Sequence, residues 1–291
     1  MLGARLREAG VGYGFVIVPM AVFGLFFIYP FAYGIYISFF HWGILGKDAT
    51  NPHAGVSNYS YVLHDPIFHT AVKNTLEYAV AVVPLEMALG LLLALVVNAG
   101  IRGKTFFRAS FYFPSITSSV AIVTIALFIF AADGLFNHIF GTSTSWFTDA
   151  STVTWSIVGL NAWTTSGTVM LFYLAALQSI STDVYEAAAL DNTGAWRTFW
   201  RITFPLLRPA NFFMLVVFGI GALKVFDQQF LVSGGSGGPN YSTYTAVLYI
   251  YRAAFQNYTF GIAAAAGTIV FVAIFAFTVV QRLTVGRGTG V

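Results

Sequence analysis

The chain has 291 residues, of which 57% are hydrophobic and only 9% charged, whereas a soluble globular protein carries about 25% charged residues. So little charge cannot cover a water-facing surface, and the 30 phenylalanines are more than a soluble core of this size can hide, so a soluble globule is excluded and lipid must solvate much of the chain. The net charge of +3, with basic residues in short loops between apolar runs, gives no nucleic-acid footprint, and the absence of cysteine excludes disulfides and cysteine-ligated metals.

A membrane crossing needs about 20 apolar residues. The first stretch to meet this is Val11–Phe40, which has no charge. It is longer than a signal peptide's apolar region and lacks a small-residue cleavage site, so it reads as a retained span. A polar, aromatic loop with Pro52 and Pro66 comes next. The second span, Thr75–Ala99, contains Glu77 and Glu86, which are nine apart and so point to opposite sides of a helix. The third, Phe111–Ala132, and the fourth, about Val153–Leu177, are uncharged. The fifth, about Leu206–Val232, is interrupted by Arg208, Pro209, Lys224 and Asp227, and the sixth is about Tyr258–Val280. Six spans place both termini on one side. That side collects Arg5, Arg7, Arg102, Lys104, Arg108, Arg197, Arg201, Arg208, Arg282 and Arg287, against Lys47, Lys73 and Arg252 opposite. The bias makes both termini cytoplasmic. The expected fold is all-α: one polytopic membrane domain over residues 1–291 with six transmembrane helices.

The most patterned inside segment is 181–205. Ser181, Thr182 or Asp183 can cap a helix starting near Val184, and Glu186 suits its first turn. Ala187, Ala188 and Ala189 are strong helix formers with little bulk, giving a smooth face that another surface can approach closely. Asn192 and Gly194 tolerate left-handed backbone and would end the helix. Trp196, Phe199, Trp200 and Ile202 form an apolar group at the membrane interface, and Pro205 and Pro209 mark entry to the fifth span. On the residues alone, an ordinary connector and a docking helix both stand.

The stretch Tyr185–Pro209 resembles the cytoplasmic EAA loop of binding-protein-dependent (type I) ABC importer permeases: Glu-Ala-Ala, three residues, Gly, nine residues, Ile, any residue, Leu, Pro. Glu186-Ala187-Ala188, Ile202 and Pro205 fit the spacing, while Asn192 replaces the Gly and Phe204 the Leu. Asn is well suited to replace Gly at positive φ. Arg102–Pro114 and Trp163–Ile180 also look like the family's second cytoplasmic loop and fourth span. Val225–Phe255 is similar to the first-permease type of the carbohydrate-uptake subgroup, which includes maltose and glycerol-3-phosphate permeases. Its Gly-Gly-Pro turn is lengthened here by Gly234-Gly235-Ser236.

The resemblance implies a type I permease fold in the plasma membrane of a prokaryote. It implies a second homologous permease, a dimer of ATPase subunits carrying ATP and Mg, and an extracytoplasmic substrate-binding protein as partners. Glu186, Ala187, Ala188, Asp191, Asn192 and Gly194 would then form or shape the ATPase contact. The chain has no Gly-rich GxxxxGK[ST] phosphate loop, so ATP hydrolysis is expected in the separate subunits, with no cofactor and no catalytic residue on this chain.

Intramembrane polar groups tend to face a cavity or one another. Lys224 and Asp227 are three apart and would share a helix face, either as a structural lock or lining the path with Gln228 and Gln229. The fourth span offers Asn161, Trp163, Thr164, Thr165, Ser166 and Thr168, which suit a sugar's hydroxyls and its stacking face, or else helix packing with Gly167. The resemblance places sugar contacts on this span and the fifth. Glu86 is the deeper glutamate and needs a partner, a place a sister subunit can fill. The five histidines fall in outer loops or at their edges with no HxH or HExxH spacing, so no metal site is expected.

Overall fold

The computed structural model describes residues 2–48, 51, 53–99 and 102–284, with side chains from Tyr13 onward. Arg287 and Pro52 lie outside the described residues. The chain divides into two units, Met1–Asp65 with Ile250–Val270 and Pro66–Tyr249 with Phe271–Val291.

In the first unit, α1 (Leu2–Phe23) runs through a π-helical turn at Gly24–Ile28 into α2 (Tyr29–Ile37). A two-residue hairpin comes next, with β1 (Trp42–Gly43) antiparallel to β2 (Gly46–Lys47), and then α3 (Ser57–His64). No residue of Tyr13–Ile37 is fully buried among the described residues, as befits an apolar span that lipid can solvate. The chain reverses where the Asn58 side-chain amide donates to the carbonyls of Ser38 (2.9 Å) and Phe40 (3.0 Å). Lys47 lies 3.9 Å over the Phe40 ring. A Cβ at Gly261 would overlap the Phe40 carbonyl oxygen, so only glycine fits at that crossing.

The second unit is built on two long helices. They are α4 (Pro66–Asn98) and α8 (Val153–Gln178), about 50 Å and 39 Å long at 1.5 Å per residue. Between them lie α5 (Lys104–Ile116), α6 (Ser119–Ile129) and α7 (Leu135–Phe140). After α8 come α9 (Thr182–Leu190), α10 (Ala195–Thr198), a π-helical turn at Phe199–Thr203, α11 (Phe204–Leu206), α12 (Arg208–Leu223) and α13 (Asp227–Ser233). Finally, α14 (Ala246–Phe255) and α15 (Phe260–Thr284) contribute residues to both units.

Small residues set the close approaches. A Cβ at Gly90 of α4 would run into the Val169 side chain of α8, and one at Gly167 would overlap the Phe111 carbonyl of α5. Around these contacts, buried Val82, Val83, Ile157 and Val158 form one apolar cluster, and Ala94, Val97, Met170, Tyr173 and Met214 another. The Tyr173 hydroxyl donates to Asn211 Oδ1 at 2.7 Å, which satisfies its polar end.

Among the described residues, four helical segments are long and apolar enough to cross a membrane: Tyr13–Ile37, Pro66–Asn98, Arg208–Ser233 and Phe260–Thr284. One sequence expectation needs correction, and two spans show detail beyond their expected bounds. The third span is not one helix, because α5 and α6 meet at 95°. Thr117 and Ser118 are extended there (φ −80°, ψ 145° and φ −57°, ψ 130°). Hydroxyls absorb the break: Thr117 Oγ1 donates to Phe113 O (2.9 Å) and Ser115 Oγ to Thr164 O (2.5 Å). The fourth span is a helix of the expected length, yet its threonines, serines and Asn161 leave it outside the apolar set. It sits against α4 and α5, and a helix shielded by neighbours need not be apolar all round. The fifth span is interrupted at Lys224–Phe226, with Phe226 at φ −143°, ψ −53°. Thr245 Oγ1 donates to the Val225 carbonyl freed by that break, at 3.2 Å, as a non-aqueous setting demands.

Candidate functional site

The two broken helices and α8 together enclose polar space. One cavity of about 310 Å³ is walled by Tyr78 and Glu86 of α4, Asn161 and Thr165 of α8, and the stretch Phe218–Gln228 around the α12–α13 break. A second, of about 260 Å³, lies at the α5–α6 elbow, walled by Ser115, Thr117, Ser119, Asn161, Thr164, Thr165 and Thr168. The two share Asn161, Thr165, Phe218 and Gln228. At their junction Gln228 Nε2 donates to Asn161 Oδ1 at 2.9 Å. One chamber is therefore lined by hydroxyls and amides, and the other carries charge.

Asn161, Thr164, Thr165, Thr168, Lys224, Asp227 and Gln228 all fall on these walls. Trp163 does not. It lines an apolar crevice of about 820 Å³ with Phe113, Ile125, Trp146 and Trp155, because it points away from the α8 face that carries Asn161 and Thr165.

The shared-face reading of Lys224 and Asp227 is overturned. Lys224 caps the end of α12 and Asp227 starts α13, with the non-helical Phe226 between them. No ion pair joins them among the described residues, so the lock reading loses its support. A Lys73–Glu77 ion pair lies on the exposed face of α4, at 3.5 Å, a geometry that contributes little. Glu86, by contrast, is 2% exposed and faces the charged chamber. Glu77 and Glu86 thus lie on opposite faces of α4, as their spacing predicts. Sequence reasoning missed Tyr78 and the hydroxyls of Ser115, Thr117 and Ser119; the polar Thr117-Ser118-Ser119 run after Pro114 was the signal available for the latter.

The second region is α9 with the turn at its end. Ser181 caps the helix, its side-chain oxygen accepting from the Asp183 amide at 3.3 Å. The helix starts at Thr182, two residues before the expected Val184. Its end closes by the pairing of a Schellman motif. The Asn192 amide donates to Ala189 O (3.0 Å), the Thr193 amide to Ala188 O (3.2 Å), and Asn192 takes φ +52°. Asn192 thus adopts the left-handed conformation that its residue type allows. Gly194 does not. It is extended (φ −66°, ψ 153°) and opens α10, because one left-handed residue already completes the turn.

Glu186, Ala187, Ala189, Asp191 and Gly194 are exposed, but Ala188 is 6% exposed and turns inward. Leu190, which the sequence did not single out, is 89% exposed. Tyr185 Oη approaches Thr203 Oγ1 at 3.3 Å, tying α9 to the π-helical turn, where Trp196 and Phe199 meet Trp200 edge-on and Phe204 meets it tilted.

The left-handed turn makes a direct prediction. Asn192→Gly should leave stability unchanged, whereas Asn192→Val should cost about 1–2 kcal/mol, the penalty of left-handed backbone for an L-residue. Thermal unfolding of the purified protein measures both, and equal melting of the Val variant and the parent would contradict the turn geometry.

Residues 86–287 match the family described as "Binding-protein-dependent transport system inner membrane component". The multiple sugar-binding transport system permease protein MsmF of Streptococcus mutans is 32% identical over 274 residues, covering 93% of each chain. The sn-glycerol-3-phosphate transport system permease protein UgpA of Brucella abortus is 33% identical over 273 residues, covering 92% of each. A crystal structure of a bacterial alginate ABC transporter, in complex with an alginate pentasaccharide-bound periplasmic protein, contains a chain of the same fold. Its TM-score is 0.83 at 22% identity, covering 98% of this chain and 96% of that one.

Proposed function

Because the chain belongs to the binding-protein-dependent transport system inner membrane component family, we propose that it forms half of the pathway of an ATP-driven importer for a neutral sugar or short oligosaccharide. It is a multi-pass ABC-type permease of the inner membrane. The proposal extends this to six spans with both termini in the cytoplasm of a prokaryote. It adds a homologous second permease, a pair of ATPase subunits that bind ATP and Mg, and an external binding protein. The four apolar segments, with the α5–α6 elbow as one span and α8 as another, make six.

The observation that carries the substrate class is the hydroxyl- and amide-lined chamber at the elbow, whose groups both donate to and accept from a polyol. Relatives named for sugar transport point the same way. Ligand screening of the cognate binding protein is the test. A preference for amino acids or metal ions would overturn this reading.

The glycerol-3-phosphate relative supports a second reading. A phosphate favours convergent Arg or Lys groups, yet Lys224 is the single basic residue on the walls of the two cavities, so the neutral sugar is the better fit. The segment 181–205 supplies the coupling element, with the exposed face of α9 against the ATPase. ATP closure of the ATPase pair would move it as a rigid body and switch the spans between inward-facing and outward-facing forms. Purified and reconstituted alone, the chain should show no uptake, since one subunit encloses only half a path. Uptake in vesicles without ATP or partners would show that this chain acts as a different kind of transporter.

A further inference from the structure

A third, much smaller polar cavity lies within the second unit. It measures about 10 Å³ and is walled by Tyr78 of α4, Thr154 of α8, Gln229 of α13, and Ser242, Thr243 and Thr245 ahead of α14. Space of that size holds about one water molecule. Two side chains on its wall are buried without a partner. Tyr78 is 2% exposed and Gln229 3% exposed. Among the described residues, neither Tyr78 Oη nor Gln229 Oε1 makes a hydrogen bond of good geometry, although the Tyr78 hydroxyl lies near the amides of Gln229 and Asn161. Buried polar atoms are normally satisfied, and one that is not calls for an explanation such as a bridging water.

The rest of the wall decides what fits. Thr154 Oγ1 donates to Ser242 O (3.3 Å) and Ser242 Oγ to Pro239 O (2.6 Å). Thr243 Oγ1 donates to Gly238 O (3.1 Å) and Thr245 Oγ1 to Val225 O (3.2 Å). A hydroxyl has one proton, so each of these is committed and offers the cavity only an acceptor. Gln229 Oε1 is a further acceptor, whereas Tyr78 has an uncommitted proton to give. The occupant must therefore accept one hydrogen bond and donate others. A water does both, and a bare cation cannot accept.

We propose that this cavity is a binding site for one tightly held water, which accepts from Tyr78 Oη and donates to Gln229 Oε1. The bridge extends a seam of direct contacts. Asn74 Nδ2 donates to the carbonyls of Tyr241 (2.6 Å) and Tyr244 (3.0 Å), and Thr75 Oγ1 accepts from the Ala246 amide at 3.0 Å. Tyr78 lies one helical turn beyond them on the same face of α4. Through the water the seam reaches the first turn of α13, just past the break at Phe226. The bridge does not depend on which solute is carried.

Two measurements on the complete transporter test the site. A density map that resolves ordered water should show one peak about 2.7–3.2 Å from both Tyr78 Oη and Gln229 Oε1. A direct contact between the two side chains with no such peak overturns the proposal. In thermal unfolding, Tyr78→Phe and Gln229→Met should each lower the melting temperature by about 2–10 °C, since each leaves a buried partner unsatisfied. The double variant should lose no more than the worse single one, because both ends of the bridge are then apolar. Losses that add would show that the two groups share no occupant, and would overturn it. Replacing sodium by choline should leave the parent's melting temperature unchanged. A fall in choline that Tyr78→Phe abolishes would place an ion in the cavity and overturn the water.

Discussion

Gly167→Val is expected to lower the stability of the assembled transporter by about 3 kcal/mol or more, at or beyond the upper end of ordinary overpacking. The reason is the kind of atom that the new side chain would meet. At Gly167 a Cβ would overlap the Phe111 carbonyl and approach the Tyr112 Cα at 2.8 Å. Both are backbone, so no rotamer change relieves the clash and α5 must move away from α8. That movement disturbs Ser115, whose hydroxyl bonds the Thr164 carbonyl, and with it the elbow that shapes the hydroxyl-lined chamber. Gly159 is the control on the same helix, with nothing within 4 Å of an added Cβ. Gly159→Ala should leave stability unchanged or slightly raised, since Ala is the better helix former. Thermal unfolding of the detergent-solubilised complex measures both. Equal melting of Gly167→Val and the parent would show that α5 and α8 do not cross at this point.

Leu190→Glu and Ala187→Trp should each reduce ATPase retention on the purified membrane subunits by about tenfold or more. A leucine fully buried at an interface contributes about 1.5–3 kcal/mol, and 1.4 kcal/mol is a factor of about ten in affinity. Leu190 is almost fully exposed at the last turn of α9, with Ala187 and Ala189 exposed before it. Among the described residues nothing covers that side chain, and a docked ATPase would. Ala188→Trp has a different outcome, because Ala188 faces inward and its carbonyl accepts from Thr193. It should destabilise the coupling segment itself and lower the melting temperature, an effect that Ala187→Trp should not share. Full ATPase content together with full ATP-driven uptake in both Leu190→Glu and Ala187→Trp would show that the segment is only a connector.

The membrane class, the long apolar helices and the short helix within 181–205 are properties of local composition. Charge depletion over a run of about 20 residues is legible because lipid acts on each residue separately. Asn192 could be placed at a left-handed turn because the preference belongs to the residue type, and its φ of +52° agrees. The polar run Asn161–Thr168 was likewise visible as a departure from an apolar background, and most of it reaches the cavity walls.

What the sequence could not decide is how these pieces face one another. An uncharged run such as Phe111–Ala132 reads as one helix, and only packing against α8 shows that Thr117 and Ser118 bend it by 95°. The i,i+3 rule for Lys224 and Asp227 presupposed continuous helix, whereas the break at Phe226 is sustained by Thr245 from a distant segment. Ala187, Ala188 and Ala189 are identical as residues, yet Ala188 is buried and its two neighbours are exposed. Glu86 lines the same cavity as Lys224 and Asp227 although no spacing rule connects them. Solvation and backbone preference act residue by residue and are therefore written locally, while the shared walls of a cavity arise from helices far apart in the chain, whose mutual orientation only their packing sets.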